Sequence, residues 1–121
     1  MAHFRCYSIR ELNLKYILSK SDSLEDLTQT GGGKAKNLYL MTKEDLPVPP
    51  WVCVSSNVFE SFKEQNQLDL SRLEDEELAP FSKRVEDLIL SGQFKEEFVL
   101  ELEKNLKENG LEGDFLAVRS S

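Results

Sequence analysis

The sequence predicts a mixed α/β fold, with short strands and several amphipathic helices. Three observations predict it. Apolar runs of strand type, KYILS, WVCVSS and FLAVRSS, are spread along the chain. Between them, apolar residues recur every third or fourth position, the period of a helix with one buried face. Clusters of glycine and proline, GGG and PVPP, punctuate the two kinds of segment.

Taken in order, KYILS (15–19) reads as a strand, with FRCYSI (4–9) as a second candidate. SDSLEDL places Ser23 and Asp26 at capping-box spacing, which predicts one helical turn. The triplet Gly31, Gly32 and Gly33 is expected to break whatever precedes it. Residues 34–43 read as a helix with Ala35, Leu38 and Met41 on one face and Tyr39 and Thr42 on the adjoining one. Lys43 falls in its last turn, where a cation complements the helix dipole. Leu46 precedes Pro47 and is pushed away from helical geometry, so the helix ends before it. PVPP then leads into WVCVSS (51–56), expected as a buried strand. Asn57 and Glu60 have capping-box spacing ahead of Phe59 and Phe62 on one helical face. LDLSRLEDEEL reads as a linker or a broken helix. Leu78, Phe81, Val85, Leu88 and Ile89 predict a helix over roughly 75–91 with Gly92 as its stop. Phe94, Phe98, Leu102 and Leu106, spaced by four, predict another over roughly 94–109, ended by Gly110. FLAVRSS (115–121) is an apolar run of strand type, expected to be buried and to feed a further element. Residues 1–121 are therefore expected to be a single domain that is part of a longer protein.

Composition narrows the function classes. The hydrophobic fraction of 40% and charged fraction of 31% are those of an ordinary globular chain. No apolar run approaches the roughly 18 residues that a membrane span requires, so no membrane partner is expected. The charged N-terminus MAHFRCYSIREL does not fit a signal peptide. A net charge of −7 with no basic stripe argues against nucleic acid as a partner. The acidity gathers in LEDEEL and KEEFVLELEKNLKENG, expected as solvated helix faces. Cys6 and Cys53 form neither a CxxC nor a disulfide framework, which fits a reducing cytoplasm, and Cys53 within WVCV is expected to pack as a small hydrophobe. His3 is the single histidine, so a metal site built on several histidines is not supported. No metal ligands and no catalytic residues are assigned within these residues.

The segment TGGGKAKN carries the clearest chemistry. A P-loop needs GxxxxGK followed by Ser or Thr, but Thr28 stands where its first glycine belongs and Ala35 follows Lys34. The dinucleotide fingerprint GxGxxG fails too, because the glycines are contiguous. What remains is general physics. Gly32 and Gly33 admit positive φ and close backbone approach. A helix start presents unpaired amides and partial positive charge to an anion. Lys34 adds a mobile full charge suited to phosphate. Against this stands a flexible turn with a solvated lysine. At the other end of the chain, Arg119 could offer its fork of donors to a phosphate, with the Ser120 hydroxyl beside it. An exposed or ion-paired arginine is the plainer reading.

GGKAKNL (32–38), LPVPPWVCVSS (46–56) and LAVRSS (116–121), in that order, resemble the N-terminal nucleotide-binding domain of the phosphoenolpyruvate synthase and pyruvate phosphate dikinase family. The resemblance implies an ATP-grasp-like fold in which Lys34 and Arg119 contact ATP phosphates and Gly32 and Gly33 shape the loop. It implies ATP with Mg2+, and phosphoryl transfer from ATP to a histidine on a separate domain, from which pyruvate is phosphorylated. Relatives with a similar ATP domain phosphorylate glucans or rifampicin. The partners implied are ATP and the phosphohistidine and pyruvate domains of the parent chain. Trp51 stands where the family usually has glycine, and could stack on an adenine or pack in the core. The metal carboxylates and the phosphohistidine have no match here, so these residues alone are expected to be inactive. A rival from another class is a non-catalytic interaction domain docking through the two acidic helices. The two readings part on whether Lys34 and Arg119, distant in sequence, converge.

Overall fold

The computed structural model describes residues 15–71, 78–113 and 115–120. The candidate strand FRCYSI, His3, Cys6, the LEDEE stretch and Ser121 lie outside them. The elements run β1 (Ile17–Leu18), α1 (Leu24–Asp26), a π-helical turn (Leu27–Gly31), α2 (Gly32–Lys43), β2 (Cys53–Val54), α3 (Ser56–Gln65), α4 (Leu78–Ser91) and α5 (Glu96–Glu108). This is the mixed α/β architecture that the alternating periods predict.

β1 and β2 pair antiparallel, Ile17 opposite Val54 and Leu18 opposite Cys53. So short a ladder is not stable by itself; helices must cover it. They do so in two clusters, one on each side of β1, because successive strand residues point to opposite faces. Leu18 joins Leu27, Ala35 and Tyr39, with Trp51 and Cys53 packed against them. Ile17 joins Val58 and Phe98, with Tyr16, Val52 and Leu102 alongside. The side chain of Glu101 on α5 accepts from the Ile17 amide at 3.2 Å, fixing that helix to the strand.

Ser23 caps α1 as predicted, its hydroxyl accepting from the Asp26 amide at 3.1 Å. Other expectations need correcting. The chain does not break before the glycines but winds through a π-helical turn to Gly31, and the discontinuity comes at Gly32, whose φ is 81°. On α2 the buried residues are Ala35 and Tyr39, an i, i+4 pair, while Met41 is exposed. The expected i, i+3 row lost because the core lies under the turn that precedes the helix. α3 begins at Ser56, with Ser55 at the cap position and Asn57 inside the helix. Asn57 instead donates to the Lys15 carbonyl at 3.1 Å, and Ser55 donates to the same oxygen at 2.6 Å. In WVCVSS, expected to be buried, Trp51, Val52 and Cys53 are half-buried, Val54 and Ser56 are exposed and Ser55 alone is buried, and only Cys53 and Val54 enter the ladder.

FLAVRSS is also corrected. Residues 115–120 have no ladder partner, and Phe115 and Val118 are almost fully exposed. Strand-type composition supplies an apolar surface but not the second backbone that a ladder needs. Among the described residues β1 and β2 form the only ladder.

α3, α4 and α5 meet at a tight junction. Asn66 donates to the Gln93 carbonyl at 3.0 Å and accepts from the Gln93 amide at 2.9 Å. Beside it, a Cβ added to Gly92 would lie 2.4 Å from Phe62 Cζ and 2.8 Å from the Leu88 carbonyl oxygen. Gly92→Ala is therefore expected to destabilise the chain by about 1–3 kcal/mol through overpacking, read as a lower urea midpoint with an unchanged slope.

Candidate functional site

The three glycines turn out to have three different jobs. Gly31 is buried, and a Cβ there would sit 3.1 Å from Leu27 Cδ1 and 3.5 Å from both Ala35 Cβ and Leu18 Cδ1. It is small so that α2 can start directly on the core. Gly32 holds a positive φ of 81°, a conformation that side chains with a Cβ adopt at a cost. Gly33 is exposed, with no atom within 4 Å of where its Cβ would be. Nothing in the fold requires a glycine there.

The first turn of α2 is suited to an anion. No side chain caps it and it contains no acidic residue. The π-helical turn runs straight into it and uses the Gly32 amide, so what the helix start offers an anion is the partial positive charge of its aligned peptides. Lys34, in that turn, is exposed. Its ammonium donates to the backbone carbonyl of Ser120 at 2.5 Å, across 86 residues of sequence. The glycine loop and the LAVRS segment thus converge, with Arg119 exposed beside the residue that Lys34 holds. The Ser120 hydroxyl makes no hydrogen bond among the described residues; it is the backbone of that residue that enters the contact.

A groove of about 630 Å³ opens beside the loop. Thr28 to Gly32 form one wall, and Val58, Phe59, Phe62, Ile89 and Phe94 the apolar remainder. Lys34, Arg119 and Ser120 do not line it. Sequence reasoning found the aromatic face of α3 but not this groove, because Ile89 and Phe94 reach it only through the turn at Gly92.

Cys53 was also underestimated by a purely hydrophobic reading. It packs on the Leu18 cluster, yet its thiol donates to the Gly31 carbonyl at 3.3 Å. Burial pushes the Cys53 thiol pKa up, so it stays protonated at neutral pH. Trp51 takes the packing alternative: its ring lies against the same cluster and its indole N–H donates to Thr42 Oγ1 at 3.1 Å.

Among the described residues no group of three His, Cys, Asp or Glu side chains gathers to hold a metal ion. None of the described helices is long and apolar enough to cross a membrane.

A mixed α/β unit with an uncapped, lysine-bearing helix start behind a glycine loop belongs to the class of folds that can receive an anion such as a phosphate. Comparison with known proteins makes this specific. Residues 28–121 match the family described as pyruvate phosphate dikinase, AMP/ATP-binding domain, and the chain belongs to that family. It is 34% identical over 97 residues to the uncharacterized phosphotransferase YvkC of Bacillus subtilis (strain 168). The match covers 80% of this chain and 10% of that relative, so the chain spans about a tenth of its length. No solved structure matches.

Proposed function

We propose that residues 1–121 form the first part of an ATP-grasp-like domain and supply phosphate contacts to an ATP site. In this reading the Gly32 and Gly33 region and the α2 amides approach the phosphates, and Lys34 and Arg119 neutralise them, with Ser120 a minor contributor. The observation that carries it is the Lys34 to Ser120 contact, which joins the glycine loop to the segment bearing Arg119. The enzyme to which the domain belongs is an ATP-dependent phosphotransferase passing a phosphoryl group to a histidine on another domain, and from there to pyruvate. Glucan or rifampicin as acceptor would use the same ATP contacts. Phosphoryl transfer depends on positioning and on metal charge. In this reading residues 1–121 contribute to the first, the Mg2+ ligands lie elsewhere in the parent protein, and this piece is inactive alone.

The test is a titration of isotope-labelled protein with Mg-ATP, followed through backbone amide shifts. Shifts centred on residues 31–38 and 115–120, reproduced by tripolyphosphate and absent with adenosine, are the expected result. Loop amides indifferent to millimolar ATP, in this chain and in the full-length protein alike, would overturn the reading.

A further inference from the structure

β2 has an outer edge that no described residue covers. The Ser55 amide donates to the Tyr16 carbonyl at 2.8 Å, so Tyr16 and Ser55 form a hydrogen-bonded pair of the antiparallel ladder. Such pairs alternate along a ladder with pairs that turn their polar groups outward. Ile17 and Val54, the next pair, are therefore of the outward kind. On β1 the outward Ile17 amide is taken by Glu101. On β2 the Val54 amide has no partner among the described residues, and the Val54 carbonyl meets only the Cys53 thiol, at 3.6 Å.

The groove beside the glycine loop runs along this edge, for Val54, Ser55 and Ser56 line it. Its walls come from both layers of the fold. Thr28 to Gly32 belong to the side that packs on Leu18, and Val58 to the side that packs on Ile17. The groove thus has the place of a third strand, covered on both faces. A strand so placed needs apolar residues at successive positions. Phe115, Leu116, Ala117 and Val118 supply them, and in the structure they are exposed and outside any ladder. The far end of their segment is already tied beside the groove. Lys34, two residues past the groove-lining Gly32, holds the Ser120 carbonyl. The connection from β2 through α3, α4 and α5 is long enough to bring a strand back alongside it.

We propose that residues 115–120 close onto the outer edge of β2 as a third strand, filling the groove and ordering the segment that carries Arg119. The structure shows the open state. Closure pairs Val54 and buries Phe115 and Val118, without the entropy cost of recruiting a second molecule. It requires no nucleotide, so it stands or falls apart from the ATP reading.

The readout is hydrogen exchange at the Val54 amide in ligand-free protein, with the Tyr39 and Phe98 amides reporting global opening. Val118→Asp places a charge in the segment, and because Val118 is 92% exposed when open, the open fold tolerates it. Val118→Ile keeps an apolar strand former. Val54 exchange is expected to be about two- to tenfold faster in Val118→Asp than in the parent, the size of one net hydrogen bond. Val118→Ile should match the parent, and Tyr39 and Phe98 should not move. Val54 exchange that is the same in Val118→Asp and the parent, or that rises only in step with Tyr39 and Phe98, would overturn closure. Repeating the measurement after tenfold dilution, with sedimentation to give the mass, separates the source of the strand. Undiminished protection in a monomer supports closure within one chain. Protection that disappears as a dimer dissociates would overturn it in favour of a strand lent by a second copy.

Discussion

Replacing Lys34 with methionine is expected to weaken ATP binding by about 10- to 100-fold, with the melting temperature unchanged. A hydrogen bond to a charged group contributes about 1.5–3 kcal/mol, and about 1.4 kcal/mol is tenfold in affinity. The fold loses nothing comparable, because Lys34 is exposed and its one described contact is to an exposed backbone carbonyl. Methionine keeps a similar unbranched stem, so only the charge is removed. Gly33→Ala sharpens the experiment. Its Cβ meets no protein atom within 4 Å, and alanine is a better helix former than glycine by about 1 kcal/mol. The variant should therefore be at least as stable as the parent, and a loss of ATP affinity in it would mean that a ligand occupies the empty space. Calorimetric titration of both variants decides the matter. Parent-like affinity in Lys34→Met would leave the lysine as a tie to Ser120 and nothing more.

Apolar period and capping spacing were enough to place five helical segments and the two strand segments, since these depend on local spacing, whereas the antiparallel pairing of the strands joins residues far apart in sequence and was not predicted. Phe81 and Phe98 are buried where the pattern requires it. What local spacing could not settle was which residues of a face are covered, since that depends on distant elements. Met41 is exposed because the core sits under Ala35 and Tyr39. Asn57 abandons the cap for the Lys15 carbonyl, a partner 42 residues away. FLAVRSS shows the sharper limit: its composition favours a strand, but a ladder needs a second edge, and in this structure none of the described segments is paired with it.

The site was legible to a different degree. Three adjacent glycines before a lysine pointed to the α2 start, yet sequence could not divide their work among close packing at Gly31, backbone reversal at Gly32 and free space at Gly33. Nor could it find the Cys53 thiol on the Gly31 carbonyl, since WVCV reads as wholly apolar. The family resemblance linked Lys34 with Arg119, and the geometry adds a direct contact between their two segments through Ser120.

The largest loss of stability is expected from Phe98→Ala, about 3–5 kcal/mol. Phe98 is 7% exposed and shares a cluster with Ile17 and Val58. Its ring stands edge-on to Tyr16 at 6.2 Å and tilted against Phe94 at 5.1 Å, so truncation forfeits two aromatic contacts as well as buried area. Against a typical total of about 5–15 kcal/mol, such a loss brings the chain close to its unfolding midpoint. Phe94→Ala is the control: that side is 53% exposed and should cost about 1 kcal/mol. Urea unfolding followed by the fluorescence of Trp51, the single tryptophan, measures both. A loss below about 1 kcal/mol for Phe98→Ala would mean that α5 does not clamp β1 as described. The consequence reaches the glycine loop, because the strand that Phe98 covers on one face packs Leu18 beneath Gly31 on the other. ATP should therefore raise the melting temperature of Phe98→Ala, by mass action on its folded state. The intrinsic affinity of the folded molecules should stay near the parent's, because Phe98 touches neither Lys34 nor the glycines. A variant that folds fully yet binds ATP poorly would instead show that the core beneath the loop sets its shape.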